Sequence, residues 1–213
     1  MPTNTDTARQ IAENLLDIDA VALRPDEPFT WTSGIKSPIY CDNRMTMSYP
    51  EVRQLIYRSF AAQIREKYGE AQVIAGTATA GIPHAAWVAE EMGLPMAYVR
   101  SKPKGHGKGN QIEGRLAAGA KVIVIEDLIS TGGSSIEAAR AVQEAGGEVL
   151  AVLAIFSYQF PTAEQAFAEA GFTFETLSNY TTLLDVAKEK GTIRPEQIET
   201  LKAWRENPQA YKG

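Results

Sequence analysis

Lys121-Val122-Ile123-Val124-Ile125-Glu126-Asp127-Leu128-Ile129-Ser130-Thr131-Gly132-Gly133-Ser134-Ser135 is the stretch that decides the fold. Its β-branched apolar run, of the kind buried on both faces of a parallel sheet, ends in two carboxylates. A loop rich in hydroxyls and glycine follows, and a helical pattern takes over from Ser135 to Ala145. Strand, loop and helix N-terminus in that order put a ligand crevice at the carboxyl end of the strand. Backbone N–H groups from Gly132 to Ser135, with the positive end of the helix dipole, suit a phosphate. Carboxylates repel phosphate, so Glu126 and Asp127 call for another partner, either sugar hydroxyls or a divalent cation. A helix capped by Ser134 or Ser135 after a polar loop is the plainer reading. It leaves the acidic pair without a purpose.

Working outward, the same alternation recurs on both sides. Pro50 suits a first helical turn, and Val52, Leu55, Ile56, Phe60 and Ile64 keep helical spacing up to Gly69. Val73-Ile74-Ala75 reads as a short strand, Gly76 to Gly81 as a tight loop and Pro83–Met92 as a helix stopped by Gly93. Strands follow at Met96–Val99, Val149–Phe156 and Phe172–Leu177, with helices at Ala163–Ala170, Thr182–Lys190 and Pro195–Glu206. This pattern predicts an α/β fold, a mainly parallel twisted sheet flanked by helices. The first 45 residues or so lack it. They offer a short helix (Ala8–Leu16) and two strand-like pieces around Ser33-Gly34, which predict a hairpin in a small N-terminal lid. The expected organisation is one domain: a hood over about 1–45, a core over about 50–177 and C-terminal helices over 178–213.

A second stretch, from Arg100 to Arg115, holds five cations (Arg100, Lys102, Lys104, Lys108, Arg115) against Glu113 alone, in a chain of net charge −5. Glycines at 105, 107, 109 and 114 make it pliable. Basic, pliable and long, it suits a loop that covers a polyanionic ligand; lysines blunting the edge of a hairpin are the alternative. Gly105, Gly107 and Gly109 do not open a helix, so they are not a dinucleotide fingerprint. The loop Gly76–Pro83 offers a second backbone anion site at the same sheet edge. His84, at a helix start, reads as a packing residue, and Trp31 and Tyr40 pack the hairpin or stack on a planar ligand. Cys41 is the single cysteine, so an internal disulfide is excluded and a reducing, cytoplasmic location is expected. The acidic balance excludes general affinity for nucleic acid or anionic membrane.

Val124 to Ser134 resembles the phosphoribosyl-diphosphate signature of type I phosphoribosyltransferases. Thr32 to Tyr40, the Gly76–Pro83 loop and Arg100 to Gly107 are similar to the orotate-using members of that family. The resemblance, running from about Phe29 to Phe156, implies the type I fold and transfer of ribose 5-phosphate from 5-phospho-α-D-ribose 1-diphosphate to orotate, with Mg²⁺. It implies that the donor is bound along Glu126, Asp127, Leu128, Ile129, Ser130, Thr131, Gly132, Gly133 and Ser134. Ser130 to Ser134 would hold the 5′-phosphate, and Glu126 and Asp127 the ribose diol and its hydrated metal, with no direct protein ligand to the ion. Arg100, Lys104 and His106 would be catalytic, binding the diphosphate, with the loop reaching the neighbouring subunit of a homodimer. Ser130 and Lys36 would meet orotate.

The chain departs from the commonest bacterial pattern of that family. Ser101, Ala80 and Thr32 stand where lysines are usual, and Tyr158 where an arginine near the orotate carboxylate is usual. A purine-using transferase is the nearest competing expectation, and the hairpin argues against it. A donor-sensing regulator that binds nucleic acid is a further one. Residues 1–50 carry four cations against seven anions, which argues against that reading. Lys36 is expected to supply the charge missing at Thr32. Lys36→Ala should therefore raise KM for orotate several-fold in steady-state assays; an unchanged KM rejects the substitution of roles.

Overall fold

Two strands with every residue buried or nearly so set the centre of the molecule. In the computed structural model, which describes residues 5–31, 34, 36–102 and 111–211, these are Val73–Thr77 and Lys121–Ile129. In chain order the elements are α1 (Thr5–Asp17), β1 (Val21–Leu23), β2 (Phe29–Thr30), β3 (Lys36–Ser37), β4 (Ile39–Cys41), a 3-10 turn (Asn43–Ser48) and α2 (Pro50–Lys67). Then come β5 (Val73–Thr77), α3 (Gly81–Met92), β6 (Met96–Val99), β7 (Ile112–Glu113), β8 (Lys121–Ile129) and α4 (Gly133–Glu144). β9 (Glu148–Ser157), α5 (Pro161–Ala170), β10 (Phe174–Asn179), α6 (Tyr180–Glu189) and α7 (Gln197–Glu206) complete the order, with a 3-10 turn at Pro208–Ala210.

The main sheet has the order β10-β9-β8-β5-β6-β7, parallel throughout except for the antiparallel edge strand β7. Alternate residues of β8 divide between two cores. Ile123 and Ile125 join Phe60, Val88 and Leu153 on one face, while Val122 and Val124 join Val142, Val152 and Phe167 on the other. Both faces are thus covered by helices, as a parallel sheet requires. From β5 the chain crosses to β6 on one side; from β8 it crosses to β9 and β10 on the other. The strand order therefore reverses between β5 and β8. That is the topological switch point, where open α/β sheets bind ligands.

Strand β8 runs four residues further than the apolar run, through both acids, because β9 is long enough to keep pairing it: Leu128 lies opposite Phe156 and Ile129 opposite Ser157. The hairpin expected around Gly34 is present as β2 paired with β3. Its residues Thr32, Ser33 and Ile35 lie outside the described residues, as do Lys104 and His106. A second short ladder, β1 with β4, lies beside the hairpin. Helix α1 packs Ile11 and Leu15 into the main core, and Ser178 Oγ of β10 donates to Ala8 O at 2.7 Å. No helix of the described residues is long and apolar enough to cross a membrane.

Close approach of α3 to β8 sets the spacing at the switch point. A Cβ added at Gly81 would lie 2.4 Å from Ile125 O, a backbone atom of the central strand. Gly133, at the start of α4, has nothing within 4 Å of such a Cβ. Gly81→Ala should therefore destabilise the protein by about 2–3 kcal/mol, as overpacking does, lowering Tm by roughly 5–10 °C. Gly133→Ala should shift Tm by less than about 2 °C, since a surface change without a special backbone role stays small. Thermal denaturation followed by circular dichroism checks both; equal Tm values for the two variants would refute the steric argument.

Candidate active site

At the switch point two strand-to-helix loops face each other. Residues 78–80 leave β5 for α3, and Ser130 to Gly132 leave β8 for α4. Gly132 adopts φ +85°, the left-handed turn that starts α4, and a Cβ there would meet the Phe167 ring at 2.8 Å. Because α4 begins at Gly133, neither Ser134 nor Ser135 caps it; no side chain caps this helix. No described hydrogen bond uses the backbone N–H of Thr131, Gly132, Gly133 or Ser134. Thr131, Gly133 and Ser134 are exposed, and the first turn holds no acidic residue. Free N–H groups at a helix N-terminus form a ready anion site.

The two acids differ sharply. Glu126 is 5 % exposed and accepts from the Asp127 N–H at 2.9 Å and from Ser135 Oγ at 3.2 Å. Asp127 is half-buried. Burial, reinforced by the hydrogen bond and negative charge of Asp127, raises the Glu126 pKa well above the usual carboxylate range. Asn43, fully buried in the first 3-10 turn, donates from Nδ2 to Asp127 O at 2.8 Å and ties the turn to the end of β8. From sequence, Ser135 reads as a backbone donor or a helix cap, not as a partner of Glu126, and Asn43 does not stand out. A register argument on α4 would have found Ser135, but nothing local points from Asn43 to a partner 84 residues away.

Arg100 comes to the same edge. The residue before it, Val99, accepts from Ala78 N at 2.9 Å, which binds the end of β6 to the loop after β5. Its guanidinium, 38 % exposed, donates to Glu113 Oε1 at 3.2 Å, and its N–H donates to Gln111 O at 2.8 Å. The feet of the basic loop are thus pinned by the β6–β7 pairing. Thr77 Oγ1, at the carboxyl end of β5, is buried without a hydrogen-bond partner. A buried hydroxyl without a partner calls for an explanation, and a ligand group at this sheet edge is one. Lys36 is exposed on β3. Its hairpin reaches this edge through Trp31, whose ring lies 5.8 Å from that of Tyr158, and Tyr158 N donates to Ile129 O at 3.2 Å. His84 is indeed a packing residue. It is 1 % exposed and edge-on to Trp87, and burial lowers its pKa to about 4.

Glu126, Asp127, the Ser130–Ser134 loop and Arg100 are therefore gathered at one sheet edge, with Lys36 on the hairpin beside it. The site offers a neutralisable buried carboxyl, a half-exposed acid, an anion cradle and a guanidinium. Together they suit a ligand carrying both phosphate and hydroxyl groups.

Residues 50–165 match the family model described as a phosphoribosyl transferase domain. An orotate phosphoribosyltransferase of Enterococcus faecalis is 58 % identical over 207 residues, 97 % of this chain and 99 % of that protein. Among solved structures, UMP synthase of Leishmania donovani aligns with a TM-score of 0.77 at 29 % identity, covering 93 % of this chain and 42 % of that one. Orotate phosphoribosyltransferase of Aeropyrum pernix, at 24 % identity and a TM-score of 0.73 over 86 % of this chain and 99 % of that one, shares the fold.

The raised Glu126 pKa has a consequence for stability with a definite sign. Above the unfolded carboxyl pKa of about 4.3 the native state binds more protons than the unfolded one, so this group's contribution declines as pH rises towards its folded value. Glu126→Gln removes the titration. The variant should melt higher than the parent at pH 8, by roughly 2–4 °C for each kcal/mol relieved, and the gap should close towards pH 5. A gap that widens on acidification would show that Glu126 is held ionised.

Proposed function

The chain belongs to the phosphoribosyltransferase family, among its orotate-using members, and on that premise we propose that it transfers ribose 5-phosphate from 5-phospho-α-D-ribose 1-diphosphate to orotate. The products are orotidine 5′-phosphate and diphosphate, a step of pyrimidine synthesis. The observation that carries the site assignment is the acidic pair beside an unpartnered anion cradle at the switch point. The 5′-phosphate takes the N–H groups and hydroxyls of Ser130 to Ser134. Glu126 and Asp127 accept from the ribose diol, which supplies the hydrogen bonds that ionised acids need at this depth.

In the reaction a ring nitrogen of orotate bonds to the anomeric carbon as the bond from that carbon to diphosphate breaks. The orotate nitrogen is acidic, so little general-base work is required. The barrier lies in separating a cationic ribosyl ring from a highly charged leaving group. Arg100, with Lys104 and His106 from the same loop, neutralises that developing charge, and loop closure keeps water away. Arg100 has donors left beyond its single bond to Glu113, so it can meet the diphosphate without losing its anchor.

Magnesium fits this arrangement. Among the described residues no cluster of three or more His, Cys, Asp and Glu side chains could hold a metal ion. Glu126 and Asp127 would meet the ion through its water and the ribose diol, while its direct oxygens would come from substrate phosphate and water. When bound, it adds positive charge beside the diphosphate. The loop completes a site across a homodimer in this reading, and the protein works in the cytoplasm.

Loss of orotate absorbance, followed with the diphosphate donor and with or without Mg²⁺, tests the activity. Turnover with orotate that depends on Mg²⁺ is expected; turnover with a purine and none with orotate would overturn it. Lys104→Ala should lower kcat at least about 100-fold while changing donor KM less than about threefold, as for a group acting in the transition state. Unchanged kcat would remove Lys104 from the chemistry.

A further inference from the structure

Residues 194–211 at the far end of the chain are tied to the hood at three separate points. Arg194 Nη2 and Gln197 Nε2 donate to Asp26 Oδ2 at 3.0 and 2.9 Å. Tyr211 OH donates to Pro25 O at 2.8 Å. Trp204 of α7, 1 % exposed, stands edge-on to Trp31 at 5.9 Å and 89°. The same indole is edge-on to Tyr158 at 5.7 Å and contacts the rings of Phe160 and Tyr180. Edge-to-face rings hold one another in orientation as well as in place. Trp31 directly follows β2, whose Thr30 pairs with Lys36 of β3, and its own Nε1 donates to Ile39 O of β4 at 3.4 Å. Fixing Trp31 therefore fixes both hood ladders.

Trp204 Nε1 has no hydrogen-bond partner. Burying that donor costs free energy, and a smaller apolar ring would avoid the cost. The two-ring indole, however, meets Tyr180 and Trp31 at once, with ring centroids 5.5 and 5.9 Å away. The indole is thus accounted for by its reach towards the hood.

We propose that Trp204 is a positioning residue for orotate: through Trp31 it holds the hood hairpin at the height over the sheet edge that base recognition requires. The inference rests on the reading that this hairpin, through Lys36, contacts orotate. The 5-phosphoribosyl diphosphate sites at Ser130–Ser134 and Arg100 lie on the main sheet and its loops, and α7 meets that edge at second hand, through Tyr158, whose backbone is already held by its own bond to Ile129 O.

Steady-state kinetics of the full chain separate the two substrates. In folded Trp204→Leu, KM for orotate should rise at least fivefold while KM for the donor stays within twofold, and Trp204→Phe, with a single ring, should recover only part of the loss. An unchanged orotate KM, or both KM values rising together, overturns the proposal. Should Trp204→Leu fail to fold, Trp204→Phe decides: a two- to threefold rise in orotate KM alone is expected, and no rise overturns the proposal. Wild-type protein without orotate turnover defeats the assigned function. Wild-type turnover combined with an insensitive orotate KM defeats this inference alone.

Discussion

The approach of Gly81 to the carbonyl of Ile125 is the constraint on which the site depends. Only a residue without Cβ lets the start of α3 lie directly on β8. That contact fixes the loop after β5 relative to the loop after β8, and hence the distance between the two backbones available to an anion. It also links the site to the core, because Ile125 itself is fully buried between helix and sheet. In the proposed function, phosphate recognition is a property of backbone placement, and backbone placement is enforced by packing several residues away.

Glu126 shows the electrostatic side of the same economy. A carboxyl so buried is disfavoured as an anion, and a ligand that brings hydroxyl donors to it favours its ionisation. Ser135 and the Asp127 N–H orient the group in the meantime. Asn43 does the same for the Asp127 backbone from the hood side. Two elements far apart in sequence thus hold one acidic pair in register.

The parallel sheet and its helices were legible because β8, β9 and β5 need apolar residues on both faces and each carries an unbroken apolar run. Where the reading missed, a neighbour decided. The end of β8 is set by the length of β9, not by the acids in its own sequence. The start of α4 is set by the left-handed turn at Gly132, which carries Ser135 inside the helix and onto Glu126 instead of leaving it as a cap. Strand β7 has two residues and no periodicity to read. At the site, Glu126, Asp127 and the 130–134 loop are contiguous, so their chemistry shows in one line of sequence. The partnership of Asn43 with Asp127, and of Trp31 with Trp204, is made by folding and has no local trace.

The ties between Asp26 and residues 194–197 also bear on how the protein is made. They span 168 and 171 positions, so the hood cannot be locked while the main sheet is still emerging. At the usual 5–20 residues per second of synthesis, roughly 10–30 s separate the two halves of this clamp. The sheet edge with its proposed phosphate cradle is complete earlier, since β5, α3, β8, α4 and the β9 that pairs with β8 all precede Tyr158. A nascent chain thus acquires the two loops of the proposed cradle before it acquires a fixed hood. Contacts of such long range are also slow to form in refolding. Recovery of base selectivity should therefore lag behind recovery of the sheet, making the hood the last part of the molecule to mature.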